Sequence, residues 1–244
     1  MSQFTNPTLV TITAPTCSGK SYLLNELVKQ NIFSRIVSTT TRVPRPGEQE
    51  GVDYYFINES QSHNLEQLGQ FFELIEFNGT RYGVTHEEMA DKMAGAVAPI
   101  VVLEPQGLAI YEQKCHEHGW DIFKIYVHAV ESLRLERLLN RTLNDSWHAI
   151  DKVSSSSGSR YSGAFAGVST DSAQKKVATA ITEHHRRLLS IVGDERRWQN
   201  TSSWDAIVTG ENTEKAIADI QIAIRWRNTR VAPPTTYTHT LLAA

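Results

Sequence analysis

Short apolar runs rich in β-branched residues alternate with helically spaced apolar positions along most of this chain. The first run, residues 8–13, ends at Ala14, and Leu23, Leu24 and Leu27 then share one helical face. A strand, a glycine-bearing turn and a helix in this order are typical of the opening of a parallel α/β fold. The same pattern predicts strands at 35–38, 54–57, 72–77, 97–103, 123–128 and 206–208, and helices at 86–94, 105–117, 130–141, 172–192 and 212–227.

Three segments depart from this alternation. Residues 42–85 hold prolines, glycines and closely spaced aromatic residues, which predict a small, mostly β insertion. Residues 143–171 are rich in serine and glycine and cannot bury much apolar surface, so they are predicted to form a mobile lid. Residues 228–244 are expected to form an extended, poorly ordered tail. Residues 1–227 are thus expected to form a single domain. Its core would comprise residues 8–41, 86–142 and 172–227.

Composition excludes several classes of protein. The 244 residues are 40% hydrophobic and 21% charged, which is typical of a folded globular chain, and no apolar run is long enough to span a bilayer. With 24 Lys and Arg against 27 Asp and Glu, the net charge of −3 argues against a protein that coats nucleic acid. Two cysteines and the absence of a secretory signal in residues 1–7 lead us to expect a reduced, cytoplasmic protein.

The turn after the first strand matches the phosphate-loop pattern Gly-x-x-x-x-Gly-Lys-Ser/Thr except at Ala14, whose methyl group disfavours a positive φ. In such a loop, backbone N–H groups and the helix N-terminus hold phosphate oxygens. Lys20 would reach the β- and γ-phosphates of ATP, and the Ser21 hydroxyl would bind Mg²⁺. The alternative is an ordinary turn with a capping serine. The predicted ATP-binding residues are Ala14, Pro15, Thr16, Cys17, Ser18, Gly19, Lys20 and Ser21.

A second motif occupies residues 38–48. Arg42 and Arg45 lie three residues apart in a turn that Pro44 and Pro46 make rigid. Two guanidinium groups held near each other suit a phosphate monoester, although a solvated turn is the alternative interpretation.

Further polar candidates lie in the insertion. Tyr54 and Tyr82 can each donate a phenolic hydrogen bond to the same phosphate, but core packing is a serious alternative for Tyr54. Glu73 lies in an apolar strand, where a buried carboxylate needs donors. Guanine offers two on one edge, N1–H and the N2 amino group. A glutamate that points to solvent is the other interpretation.

The second motif and three segments after it resemble the signature of the guanylate kinase family of nucleoside monophosphate kinases. These segments are residues 38–48, 51–56, 72–73 and 81–83. The resemblance covers roughly residues 8–225, apart from the serine-rich segment. It implies a three-layer α/β P-loop kinase fold with a parallel sheet, a β-rich insertion that binds the monophosphate, and a lid. It also implies transfer of a phosphoryl group from Mg²⁺–ATP to a purine nucleoside monophosphate, GMP or dGMP.

The resemblance further implies individual roles. Ser38 would contact the guanine oxygen and Glu73 would read the base, while the acceptor phosphate would be held by Arg42, Arg45, Tyr54 and Tyr82. The implied catalytic cations are Lys20, Arg42, Arg137, Arg141 and Lys176.

Four positions depart from the family pattern. Val84 stands where a hydroxyl often contacts the guanine oxygen, and Val102 replaces the first acid of an Asp-Ile-Asp pattern. Glu104 keeps the second acid, where it would reach the nucleoside sugar or the acceptor pocket, or else cap the helix that begins at Pro105. Lys176 aligns with the second lid arginine, and Arg160 in the serine-rich segment is the other candidate for that position.

The monophosphate-binding set is therefore Ser38, Arg42, Arg45, Tyr54, Glu73, Tyr82, Val84 and Glu104. Two alternatives remain open, a kinase for another or modified deoxynucleotide and a non-catalytic module that binds protein. We expect a monomer or homodimer that acts on small molecules, with no nucleic-acid or membrane partner.

Overall fold

The computed structural model describes residues 4, 6–45, 47–77, 79–141 and 203–229. The predicted lid at 143–171, the helix predicted at 172–192 and Lys176 lie outside these residues, as do residues 230–244 of the predicted tail.

The chain divides into two compact units. The first comprises residues 1–14, 19–128 and 200–244, and the second comprises residues 15–18 and 129–199. None of the helices in the described ranges combines the length and apolarity that a membrane crossing requires.

The strands are β1 (Thr8–Thr13), β2 (Ser34–Arg35), β3 (Thr39–Thr40), β4 (Tyr55–Phe56), β5 (Phe71–Phe77), β6 (Thr80–Thr85), β7 (Pro99–Leu103), β8 (Asp121–His128) and β9 (Ala206–Thr209). The helices are α1 (Lys20–Lys29), α2 (Glu59–Gln67), α3 (His86–Met93), α4 (Pro105–His118), α5 (131–141) and α6 (Thr213–Thr229). Of these, α5 belongs to the second unit.

The first unit is built on a parallel sheet in the order β2-β7-β1-β8-β9. Strand β1 lies at its centre, with all six residues buried, and pairs in register with β7 (Val10 with Ile100) and with β8 (Val10 with Phe123). Because both faces of β1 are covered, its sequence is a continuous buried run rather than an alternation of apolar and polar residues.

Helices cover both faces of this sheet, which makes three layers. Val10 and Ile12 of β1 belong to an apolar cluster that includes residues of α1 and α6, such as Leu24 and Ile220. Leu9 points to the opposite face and joins a second cluster, to which α3 and α4 contribute. The expected α/β class with a parallel sheet is thereby confirmed.

A second, mixed sheet follows the order β4-β3-β6-β5 and lies mostly within the predicted insertion. Strand β3 pairs with β4 in parallel, whereas β6 runs antiparallel to both β3 and β5. The expectation of a mostly β insertion overlooked α2, whose first turn is closed by a reciprocal capping box between Asn58 and Gln61. The predicted tail is also corrected at its start, because α6 continues to Thr229.

A β-bulge in β5 decides which side chains face α4. Phe71 pairs with Thr85 and Glu73 pairs with Val84, so Phe72 is an extra residue between two consecutive partners of β6. A bulge brings two successive side chains toward one face of the sheet. Phe72 packs on Tyr111 with ring centroids 5.3 Å apart, and Glu73 approaches Gly107 of the same helix.

Gly83 provides a test of this packing. A Cβ atom at this position would lie 2.5 Å from the Glu73 carbonyl oxygen and 2.9 Å from the Phe71 ring. We expect Gly83→Ala to lower the free energy of unfolding by about 2 kcal/mol or more, because neither the strand nor the ring can retreat freely. Urea denaturation measures this value.

Gly95→Ala is the matched control, since its Cβ would lie 3.2 Å from the Lys92 carbonyl oxygen and 3.9 Å from that of Val97 in an exposed turn. Its effect should stay within about 0.5 kcal/mol. Equal stabilities of the two variants would contradict the close packing of β5 on β6.

Candidate functional site

The phosphate-loop sequence joins β1 to α1, as predicted. Left-handed backbone occurs at Cys17 (φ 63°) and Gly19 (φ 99°) but not at Ala14, so the methyl group of Ala14 meets no conformational obstacle. The ammonium group of Lys20 donates to the Ala14 carbonyl oxygen at 3.2 Å and lies 3.6 Å from Oε1 of Glu104. The loop lysine thus points back over the end of β1.

Glu104 follows β7 directly, and β7 is the parallel neighbour of β1. Its side chain makes no capping hydrogen bond to α4, although Pro105 occupies the first helical turn. Of its two expected roles, the structure therefore gives no support to helix capping. Its carboxylate instead joins the ion pair with Lys20 at the carboxyl end of the sheet.

Arg42 and Arg45 converge on Glu48. Arg42 donates to Oε1 of Glu48 at 2.9 Å, and the backbone N–H of Arg45 donates to Oε2 at 2.7 Å. The Arg45 guanidinium lies 3.7 Å from the same carboxylate. Burial alone would raise the pKa of Glu48, but these hydrogen bonds and charges hold it below its ordinary value. An anion therefore already lies between the two arginines.

Aromatic rings support the Arg42 guanidinium, which lies 5.4 Å from the centroid of Tyr54 and 5.8 Å from that of Phe56. Tyr54 in turn meets Tyr82 edge to face, with ring centroids 6.1 Å apart. Within the described ranges, neither tyrosine hydroxyl forms a hydrogen bond. Both phenols therefore keep a donor for a ligand.

Tyr54 also shows that the loop and the insertion face the same region. Burial raises the pKa of its hydroxyl, and Tyr82 adds to the rise. Three nearby cations act in the opposite direction: Lys20, Arg42 and Arg45. The cation of the phosphate loop thus acts on the same phenol as the two arginines of the insertion.

Glu73 is buried, with 6% of its surface exposed. No hydrogen bond to its carboxyl group comes from the part of the chain that the structure describes. Burial raises the pKa of Glu73 to about 8, and the ammonium group of Lys114 offsets this only partly. A carboxyl group with this pKa is mostly protonated at neutral pH.

The other predicted contacts of the insertion differ in placement. Ser38 is half-buried, and its carbonyl oxygen accepts a hydrogen bond from the Tyr55 N–H at 2.9 Å. Val84 is 1% exposed, and its side chain joins the apolar cluster of Phe72 and Leu108. Because Val84 contributes to core packing, we leave it out of the proposed substrate contacts.

The second unit carries the remaining predicted residues. The Arg137 guanidinium donates to the Cys17 carbonyl oxygen at 3.2 Å. Ser18 is fully buried, whereas Arg141 is exposed. Sequence reasoning overlooked Arg134, which is wholly buried on the same helix, α5.

Two positioning residues of the first unit were also overlooked. Glu48 holds both arginines, and its place in the proline-rich turn was the available signal. Arg35 donates to the Asn25 side chain of α1 at 3.0 Å and to the Asp53 carbonyl oxygen at 2.9 Å. It thereby fastens the loop before Tyr54 to the core.

The raised pKa of Glu73 has a consequence for stability. A carboxyl that ionises near pH 4.5 in the unfolded chain and near pH 8 in the folded one favours folding at low pH and loses this contribution as the pH rises. We expect Glu73→Gln to become progressively more stable than the unmutated protein between pH 4.5 and 8. The difference should reach about 4 kcal/mol at pH 8, since the two pKa values differ by about 3.5 and one pKa unit corresponds to about 1.4 kcal/mol.

Thermal or urea unfolding of both proteins across this range tests the expectation. Glu76→Gln, on the exposed face of the same strand, is the control for loss of a charge. A stability difference that stays constant from pH 4.5 to 8 would contradict the raised pKa.

Comparison with known proteins agrees with this geometry. Residues 6–184 match the family described as guanylate kinase. The guanylate kinase of Anaplasma phagocytophilum is 33% identical over 140 residues, which cover 57% of this chain and 66% of that protein. That of Chlamydia muridarum is 33% identical over 136 residues, which cover 55% and 64%. The chain thus spans slightly less than two thirds of the length of these relatives.

The crystal structure of guanylate kinase from Anaplasma phagocytophilum has the same fold, with a TM-score of 0.58 over 98% of this chain and 93% of that one, at 19% identity. The resemblance carried by residues 38–83 is therefore confirmed by a match over most of the chain and by a shared architecture. The chain belongs to the guanylate kinase family.

Proposed function

We propose that this protein is a nucleoside monophosphate kinase that transfers the γ-phosphoryl group of ATP to GMP or dGMP. One observation carries the proposal: a phosphate-loop lysine, Lys20, lies at the carboxyl end of the parallel sheet, and the insertion gathers two arginines, Arg42 and Arg45, around one carboxylate. A phosphoryl transfer enzyme needs donor and acceptor phosphates within one set of cations, because its catalysis rests on positioning and charge stabilisation.

On the donor side, Lys20 would exchange its contacts with Ala14 and Glu104 for phosphate oxygens. The fully buried Ser18 and the left-handed Gly19 fit a loop that turns its backbone toward an anion. Ser21 would hold Mg²⁺ on ATP, and the ion would neutralise charge on the donor phosphates. The described residues contain no cluster of three or more metal-ligating side chains, which fits an ion carried mainly by the nucleotide.

On the acceptor side, the monophosphate would take the place of the Glu48 carboxylate between Arg42 and Arg45. Tyr54 and Tyr82 would donate their phenolic hydrogen bonds to it. During this exchange Arg42 would keep its contacts with the rings of Tyr54 and Phe56.

Glu73 would select the base, with Ser38 at the guanine oxygen. The N1–H and N2 amino donors of guanine satisfy a buried carboxylate and would lower its pKa on binding. Adenine presents an unprotonated N1 and no N2 amino group. It would leave the carboxylate without its two donors.

The roles of Arg137, Arg141 and Lys176 as catalytic cations, and of Glu104 near the acceptor, rest on the sequence resemblance. We also propose that the protein acts in the cytoplasm as a monomer or homodimer. Its net charge of −3 favours free nucleotides over nucleic acid as substrates.

Lys20→Ala tests the donor site. The ammonium group would interact more strongly with the transition state than with bound ATP, so we expect kcat to fall at least about 100-fold while the fold is retained. Lys29→Ala removes a mostly exposed lysine of the same helix and is the control. Near-normal turnover of Lys20→Ala would refute the proposed role of the loop.

Base selectivity tests the acceptor site. We expect kcat/KM to favour GMP and dGMP over AMP and dAMP by about 10²–10⁴-fold, and Glu73→Gln to erode this preference, because an amide offers one acceptor and adds a donor. Glu76→Gln should keep it.

Coupled assays of ADP release with this panel of monophosphates decide among the alternatives. Equal use of adenine and guanine, or preference for a pyrimidine, would favour a kinase for another deoxynucleotide. A folded protein that phosphorylates none of them would favour a non-catalytic module.

A further inference from the structure

Helix α4 places a second polar group beside Glu73. Gly107 and Tyr111 lie four residues apart and so share one face of the helix, and helical side chains lean toward the N-terminal end. The Tyr111 side chain therefore extends over the turn that contains Gly107. Oε1 of Glu73 lies at this turn, 3.1 Å from where a Cβ of Gly107 would be.

The Tyr111 hydroxyl is buried and makes no hydrogen bond within the described part of the chain. The ring itself is well packed, 5.3 Å from Phe72 between centroids. Burial raises the pKa of the Tyr111 phenol far above its ordinary value, and the Glu73 charge raises it further. The two groups therefore lie within electrostatic range of each other. A buried hydroxyl without a partner costs roughly 1–3 kcal/mol.

Both groups thus belong to the surroundings of the α4 turn that contains Gly107, and neither makes a hydrogen bond within the described residues. Phenol is a donor, and an ionised carboxylate has about four lone-pair sites, of which a guanine edge uses two. A neutral carboxyl group offers the phenol only its carbonyl oxygen, which is a weaker acceptor than a carboxylate. A carboxylate ionised by a bound base gives it a strong acceptor.

We infer that Tyr111 is a positioning residue of the base pocket: its hydroxyl donates to the Glu73 carboxylate when a guanine nucleotide is bound and holds that carboxylate toward the base. The inference rests on the proposed function. Among the described residues, the charge that acts on Glu73 is that of Lys114, which lies on α4 like Tyr111. The Lys114 ammonium group lies 4.5 Å from the Phe72 ring centroid.

Tyr111→Phe keeps the ring and removes only the hydroxyl. At pH 7 we expect the KM for GMP to rise about 10-fold, the usual scale for one hydrogen bond to a charged group, with kcat and the KM for ATP changed less than about 2-fold. The melting temperature of the empty protein should stay unchanged or rise, because the lost hydroxyl had no partner. A purely structural role would lower it and leave the KM for GMP unaffected.

The pH profile and a double-mutant cycle show whether Tyr111 acts through Glu73. The KM defect should shrink between pH 6 and 8.5, as Glu73 ionises without help. In the Glu73→Gln background, Tyr111→Phe should change the KM for GMP less than about 2-fold. Tyr126→Phe, at another fully buried tyrosine, controls for loss of a core hydroxyl and should leave this KM unchanged.

Two outcomes overturn the inference: a KM for GMP within 2-fold of the unmutated value, or an equal rise with and without Glu73. Isothermal titration of GMP gives the same comparison without turnover. If the unmutated protein phosphorylates GMP and Tyr111→Phe leaves the KM for GMP unchanged, only this inference fails. If GMP is neither bound nor phosphorylated by the unmutated protein, the proposed function fails as well.

Discussion

The packing of Phe72 on α4 is the contact on which the candidate site depends most. It joins the second sheet to the parallel sheet, since β5 belongs to one and α4 covers the other. The bulge that brings Phe72 to this face also brings Glu73 there, because successive side chains of a regular strand would point to opposite sides. The contact that attaches the insertion therefore also removes a carboxylate from water, and stability and recognition share one helix face.

The three site cations of the first unit, Lys20, Arg42 and Arg45, each have an anion within reach. Lys20 has Glu104 at 3.6 Å, and Arg42 has Glu48 at 2.9 Å. Removing one partner of a buried pair leaves an uncompensated charge, so these acids contribute to the integrity of the empty protein. Glu73 is different, because burial raises its pKa to about 8 and it forms no ion pair within the described residues.

The sequence predicted the parts of the fold that local pattern determines. The run of residues 8–13, the loop after it and the helix with Leu23, Leu24 and Leu27 are found where the apolar spacing indicated. Strands β3 and β6 were missed because Thr39-Thr40 and the stretch with Arg81 and Gly83 have no strong strand pattern and depend on their pairing partners. Helix α2 was missed because its residues are almost all polar and only Ser62 is buried.

The candidate site was predicted in the same uneven way. Glu73 was recognisable because a carboxylate in an apolar strand demands an explanation. Its approach to Gly107 was not predictable, because a bulge in β5 and the docking of α4 determine it and neither leaves a local signal in the sequence. The burial of Val84 in the apolar core was not predictable for a related reason. Successive side chains of a strand point to opposite faces, and only the pairing within the sheet decides which face a given residue takes.

At the proposed acceptor site of the insertion, a bound anion would have to displace the Glu48 carboxylate from Arg42 and Arg45. A tethered carboxylate has a high effective concentration at the arginines, so a free anion must outcompete it rather than fill an open site. Inorganic phosphate and sulfate would compete with the Glu48 carboxylate through their charge alone. A nucleotide also brings a base that can satisfy a buried acid elsewhere, and this second contribution favours the exchange. The turn that holds the arginines in place would thus also keep abundant small anions from occupying the site.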